Sequence, residues 1–332
     1  MNAEKKYLNI CKTIAILFVI SVHMKVSYLG SEAETYEKFT KFVYNFGLAG
    51  VGVFFFISGY VYNYNVRSFI DMIKRKTVTL IVPCCIAGIF NAILYEIVLN
   101  RTEISFALLL KPIYAYVGQY YFWMIFVLFI ITYYTNLIAE LFILLFAIIY
   151  AVLRTSGTMP DFVFISDFFN PIWWSIWFIL GKWCGKFKLL PKVRKWGAIC
   201  LPVTLPGAVY IVYLSVFRGL AFNYFHVNYV IFEILMLPSI LGIAHILFWF
   251  FEKCKIWDII GTNSGTLCLY NFPLCAIWGH ILLMTRVWYL IVLSPFMVVG
   301  TVVSVVQLLK KLKFPQKAYK LFEQVFLIRI QM

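Results

Sequence analysis

This chain has little charge. Only 13% of its 332 residues are Asp, Glu, Lys or Arg, while 63% are hydrophobic. A soluble globular domain carries about a quarter charged residues. Apolar runs recur from the first segment to residue 308 and leave no room for a sizeable soluble domain. Short alternating strands separated by turns are also missing, which excludes a membrane barrel. The eight cysteines, Cys11, Cys84, Cys85, Cys184, Cys200, Cys254, Cys268 and Cys275, show no C-x-x-C spacing. None lies in an expected outer loop, so neither a disulfide framework nor a metal site is expected, and these thiols read as buried apolar groups. Internal repeats and low-complexity tracts are absent as well. What remains is one polytopic, all-α transmembrane bundle.

Ten spans are expected, at 7–28, 44–64, 77–99, 118–136, 138–154, 168–185, 196–217, 227–250, 262–283 and 286–308. Acidic residues number 14 against 29 Lys and Arg, a formal net charge of +15. That balance suggests a nucleic-acid partner until the charges are placed. With the N-terminus inside, 21 of the 29 fall on the cytoplasmic side. They are Lys5, Lys6, Lys12, the Arg67/Lys74/Arg75/Lys76 cluster, the run from Lys182 to Lys195, Lys253, Lys255 and the tail from Lys310 to Arg329. The bias fits the positive-inside rule, puts both termini in the cytoplasm and calls for membrane lipids rather than nucleic acid. No cleavable signal peptide is apparent, so the first span reads as a retained anchor of an integral plasma (inner) membrane protein. Residues 1–309 form the transmembrane domain. Residues 310–332 alternate basic with apolar side chains, as a helix lying on the inner leaflet does. An outer segment at 29–43 has the makings of a short surface helix.

Ionisable and polar groups at membrane depth are costly unless they face protein or water. Lys12 and His23 are eleven residues apart in the first span, three helical turns plus roughly 20°. They therefore share one face, roughly 16 Å apart along the axis. Other polar residues at depth are Glu96, Gln119, Glu140, Asn228, Glu233, His245, Asn263, Asn271 and His280. Glu233, about two turns below the outer surface, is the most plausible acidic partner. His245 and His280, at span ends, read as structural or interfacial. Trp173, Trp174 and Trp177 cluster at the outer end of the sixth span.

Lys12 with His23, Phe54–Tyr60, Lys74-Arg75-Lys76 with Pro83, Tyr121-Phe122-Trp123, and Gly261–Ser264 with Tyr270–Leu274 form an ordered set that resembles the acyltransferase-3 family of membrane acyltransferases. Lys12, ten residues and His23 stand where that family has Arg, ten residues and a His, with Ile14-Ala15-Ile16-Leu17 similar to its apolar stretch. Phe54-Phe55-Phe56-Ile57-Ser58-Gly59-Tyr60 resembles its FF-x-I-S-G-Y signature. Lys74-Arg75-Lys76 followed by Pro83 resembles its basic cluster and proline, and Tyr121-Phe122-Trp123 its Trp-containing motif. Gly261-Thr262-Asn263-Ser264 with Tyr270-Asn271-Phe272-Pro273-Leu274 is similar to a G-x-N-S…H-x-P-L segment. The departures are Lys12 for Arg, Asn9 for Asp, Thr79 for Arg and Asn271 for His. Lysine keeps the charge but loses the planar fork of arginine.

The resemblance implies an O-acyltransferase that moves an acetyl group from cytoplasmic acetyl-CoA, with no metal, to a cell-surface or lipid-linked glycan of the cell envelope. It implies His23 as the catalytic base, with Lys12 alongside. The chemistry suits these residue types: a sugar hydroxyl attacking an acyl carbonyl needs a base near neutral pKa, and His supplies one. Lys74, Arg75 and Lys76 stand on the side where they would hold the donor phosphates. Ser58, Tyr60, Glu233, Asn263, Ser264, Asn271 and Trp173 are the candidates for substrate and oxyanion contacts. Two other readings stay open: a transporter or flippase for a lipid-linked sugar or small anion, and a relative of the family that has lost activity.

Overall fold

The computed structural model describes residues 3–24, 26–62, 68–93, 120–156, 170–222 and 226–311. Arg67, Glu96, Gln119 and the tail from residue 312 lie outside the described residues. The regular elements described are all helical: α1 (Ala3–Val22), α2 (Ala33–Gly47), α3 (Ala49–Tyr60), α4 (Phe69–Lys76), α5 (Val82–Ala92), α6 (Tyr120–Tyr134), α7 (Leu137–Thr155), α8 (Pro171–Lys186), α9 (Leu190–Arg218), α10 (Val227–Phe251), α11 (Ile256–Thr262), α12 (Ser264–Leu283) and α13 (Ser294–Lys311). A π-helical turn, Thr77–Ile81, joins α4 to α5, and a 3-10 helix, Trp288–Leu293, precedes α13. We call the end of the bundle that holds the start of α1 basal, and the end that holds His23 apical.

By length and composition, six helices among the described residues are able to cross a membrane: Ala33–Tyr60, Leu137–Thr155, Leu190–Arg218, Val227–Phe251, Ser264–Leu283 and Trp288–Leu309. Helix α6 is apolar but shorter. Helix α1 carries Glu4, Lys5, Lys6 and Lys12 within twenty residues, too much charge to pass as a lipid-facing span. Its Tyr7, Ile10, Cys11, Ala15 and Ile16 are instead fully buried, so α1 is wrapped by protein.

The expected boundaries shift in three places, each for a local reason. The outer segment at 29–43 is helical from Ala33, and helical backbone at Leu48 (φ −57°, ψ −31°) carries α2 on into α3. The basic connection at 185–196 is helical except at 187–189, because Pro191 sits in the first turn of α9, where its missing N–H costs nothing. At its other end α9 closes on Gly219 in left-handed backbone (φ 73°), a conformation glycine adopts without a Cβ clash. The first expected span, 7–28, is helical only to Val22, where the turn at His23 begins, whereas the ninth, 262–283, holds as α12.

Glycines set how closely the helices approach. A Cβ on Gly185 would lie 2.5 Å from the Tyr60 carbonyl oxygen, and Gly59 and Gly181 are pressed as tightly against Phe178 and Phe56 backbone. The Ser58-Gly59-Tyr60 end of α3 is therefore a backbone-to-backbone seam with α8, of the small-residue kind that packs membrane helices. On α12, Pro273 has no N–H for the Leu269 carbonyl, and Asn91 Nδ2 on α5 donates to that oxygen instead (2.6 Å).

Candidate active site

Helix α1 ends at Val22. His23 begins the turn that follows, its backbone N–H donating to Ile20 O (2.9 Å). The imidazole is half-buried and meets the Phe272 ring edge-on, with centroids 5.1 Å apart at 87°. Among the described residues it makes no side-chain hydrogen bond. Phe272 belongs to α12, and the same helix touches α1 again where Cys275 Sγ lies 3.7 Å from Ile20 O. The late-chain motif is thus folded against the apical end of α1, with Asn271 one residue from the ring that holds His23. Asn271 is buried, and its Nδ2 donates to Cys268 O (3.0 Å).

Lys12 lies three turns towards the base. It is 0% exposed, and its Nζ has no hydrogen-bond partner among the described residues. A buried amino group in that condition has given up its water without replacement, a cost of several kcal/mol in apolar surroundings. On α10, Glu233 is likewise 0% exposed. Its Oε1 accepts the Tyr229 hydroxyl (2.6 Å), while Oε2 has no partner. That oxygen rests on Gly52 of α3, where a Cβ would lie 2.6 Å away, so glycine makes the room the carboxyl occupies. Two ionisable groups with no ion-pair partner among the described residues are therefore buried in helices that pack on one another, α1 and α10.

The other candidates are spread through the bundle. Trp173 is 1% exposed and stacks on Tyr229 (6.2 Å, 25°), and Trp174 stacks on Phe55 (4.9 Å, 12°). With Trp177 buried too, this trio packs the core here and presents no free ring face to a sugar. Ser58 pairs with the Tyr121 hydroxyl (3.1 Å), and Tyr60 donates to Glu4 Oε1 at the basal end (2.7 Å). Asn263 Nδ2 donates to Ile259 O (2.7 Å) and Ser264 Oγ to Gly261 O (2.9 Å). Both bonds close the break between α11 and α12. Gly261 itself abuts Asn9, whose Nδ2 donates to Asp258 (3.2 Å), which ties this break to the basal half of α1. Lys74 and Arg75 are exposed in the last turn of α4, and Lys76 lies over the Phe129 ring, 3.7 Å from its centroid. Burial, with the Arg75 charge beside it, pushes the Lys76 amine down to about 8.

Sequence reasoning missed one buried pairing. Lys182 on α8 donates to Glu140 Oε1 (2.5 Å) on α7 and to Thr132 O (2.8 Å) on α6. Trp183 Nε1 donates to Glu140 Oε2 (2.5 Å). Glu140 stood out at membrane depth, but Lys182 was hidden in a basic run. Tyr229 was also overlooked, although it stands four residues before Glu233, the spacing that brings helical side chains together.

Residues 5–306 match the model of the acyltransferase-3 family, described as an acyltransferase domain, and the chain belongs to that family. Its transmembrane helices and this membership make it a multi-pass membrane acyltransferase. No curated protein and no solved structure is significantly similar to it.

Proposed function

We propose that this protein is an O-acetyltransferase of the plasma (inner) membrane that modifies a cell-surface or lipid-linked glycan, with acetyl-CoA as donor. His23 is the base. It takes the proton of the sugar hydroxyl as that oxygen attacks the acetyl carbonyl. The C–S bond then breaks, and the departing thiolate of coenzyme A is protonated, which regenerates neutral His23. The observation that carries the assignment is the placing of His23, half-buried at the apical end of α1 against Phe272. A base must be reachable by its substrate yet held in orientation, and partial exposure beside the edge-on Phe272 ring supports that reading. Lys12 supplies a point charge along the acyl path, and Glu233, Asn271 and Ser58 are candidates for ordering substrate groups.

Ten membrane passes with both termini in the cytoplasm rest on the bias of Lys and Arg towards one side of the expected spans. They also put Lys74, Arg75 and Lys76 on the side where a cytoplasmic donor presents its phosphates. The tail from residue 310 belongs on the inner leaflet. The acetyl arm then enters from the basal end and is transferred at the apical end.

The test is acetyl transfer in membrane vesicles supplied with labelled acetyl-CoA. His23→Ala is expected to lower transfer to glycan by about 10²–10⁴-fold while the protein still inserts. Undiminished labelling by that variant would remove His23 from the mechanism.

A further inference from the structure

Helices α9 and α10 run antiparallel, with Gly207 facing Leu235 and the hydroxyls of Thr204 and Ser239 2.7 Å apart. Nearer the base their backbones touch. A Cβ on Gly197 would lie 2.6 Å from Pro238 O and 3.0 Å from Gly242 N. Arg194 is three residues before Gly197, and His245 is three residues after Gly242. Because the helices are antiparallel, both residues start about 4.5 Å to the basal side of the crossing. Tyr7 of α1 forms the floor. Its hydroxyl is fixed on Leu241 O (2.9 Å), one turn from His245, and the Arg194 guanidinium carbon lies over its ring, 5.7 Å from the centroid. Arg194 and Lys195 are close enough to His245 to act on it electrostatically.

Two nitrogens in this crevice are buried and have no hydrogen-bond partner among the described residues: Arg194 Nε and His245 Nδ1. No carboxylate among those residues neutralises Arg194. Both side chains are otherwise half-buried, and a buried donor nitrogen is normally paired. A guanidinium and an imidazole converging without a carboxylate are the donor set for an oxyanion, since arginine's planar fork matches phosphate oxygens.

We propose that the crevice between α9 and α10, bounded by Arg194, His245 and Tyr7, is an anion site that takes a phosphate group. It stands apart from the Lys74–Lys76 cluster and does not depend on the role of His23. A phosphate reaches it from two sources, an anionic lipid headgroup of the adjoining leaflet or a soluble nucleotide such as the donor's 3′-phosphate portion.

The experiment uses the full chain in neutral detergent and two probes. Phosphatidylglycerol retention is counted by native mass spectrometry, and 3′,5′-ADP affinity is measured by calorimetry. Arg194→Gln is expected to weaken one probe about tenfold or more, with His245→Gln weaker than wild type and Arg194→Lys intermediate. Loss confined to phosphatidylglycerol assigns the lipid source, and loss confined to 3′,5′-ADP assigns the nucleotide. Lys253→Gln, which removes the same charge from an exposed basal position, is the control. If it weakens binding as much as Arg194→Gln, general surface charge is responsible and the site is overturned. The site is also overturned if neither probe responds to Arg194→Gln or His245→Gln while each variant elutes as one folded species. Should Arg194→Gln not fold, Arg194→Lys and His245→Gln carry the same comparison.

Discussion

Two buried sets of ionisable groups divide this bundle. At the basal end Glu140 and Lys182 are bonded to each other, and Thr132 O and Trp183 Nε1 take up further capacity. Higher along the helices, Lys12 and Glu233 are as deeply buried, yet Lys12 Nζ and Glu233 Oε2 have no partner among the described residues. The difference separates two uses of charge in lipid. A closed pair locks α6, α7 and α8 together and has nothing left for a substrate. Groups left open are carried at a cost in stability, and such residues mark the paths of substrates and protons.

Breaking the closed pair is expected to have the largest effect on stability. Glu140→Gln or Lys182→Met each strands a buried charge or its former partner and costs about 3–5 kcal/mol. Thermal unfolding in detergent and the yield of monodisperse protein report this. Replacing both together, as Glu140→Leu with Lys182→Met, should recover most of the loss. If the double variant is as unstable as the sum of the singles, the two residues are not coupled and the contrast fails. Lys12→Met should behave in the opposite way. No partner is lost, so the Tm holds or rises, while acetyl transfer falls by about a hundredfold and Lys12→Arg retains it. Full transfer by Lys12→Met would mean that Lys12 only reaches towards the basal headgroups. A smaller effect is expected from Glu233→Gln, about tenfold in transfer with little change in Tm. Equal activity with wild type would place Glu233 outside the site.

The contrast also explains what the sequence could disclose. Helix class and most spans were legible because long apolar runs have one stable form in lipid. His23 and Lys12 stand out because each is an ionisable residue in an apolar run, although His23 lies in the turn after α1 and not within the helix. The pairing of Glu140 with Lys182 was not, because the two are 42 residues apart and Lys182 reads as one more basic residue after a span. Trp173 was misleading for a related reason. A span-end tryptophan looks interfacial, yet this one is buried and stacked on Tyr229 of α10. The glycine within Phe54–Tyr60 is accounted for by its close approach to α8, which the sequence alone does not show. Sequence shows which residues are costly to bury. It does not show which neighbour relieves the cost.

Lys76 stands between the two sets and gives the finest test. It has no carboxylate partner among the described residues, but the Phe129 ring lies beneath it, and burial with Arg75 nearby holds it at about 8 rather than the usual 10.5. At about pH 7 it is charged, and by about pH 9 it is mostly neutral. If it holds donor phosphates, the KM for acetyl-CoA should rise several-fold over that interval, roughly the worth of one charge-assisted contact near a surface. Stability should move the other way. Between about 8 and 10.5 the unfolded chain binds the proton that the folded chain has released, so folding gains as pH rises through that window. Affinity falling while Tm rises is a signature that general alkaline damage does not produce. Lys76→Arg keeps its charge throughout and should flatten both profiles, while Lys74→Gln, at an exposed position, should leave their shapes unchanged. A KM that climbs equally in wild type and Lys76→Arg would take Lys76 out of the donor site and leave it a packing residue on Phe129.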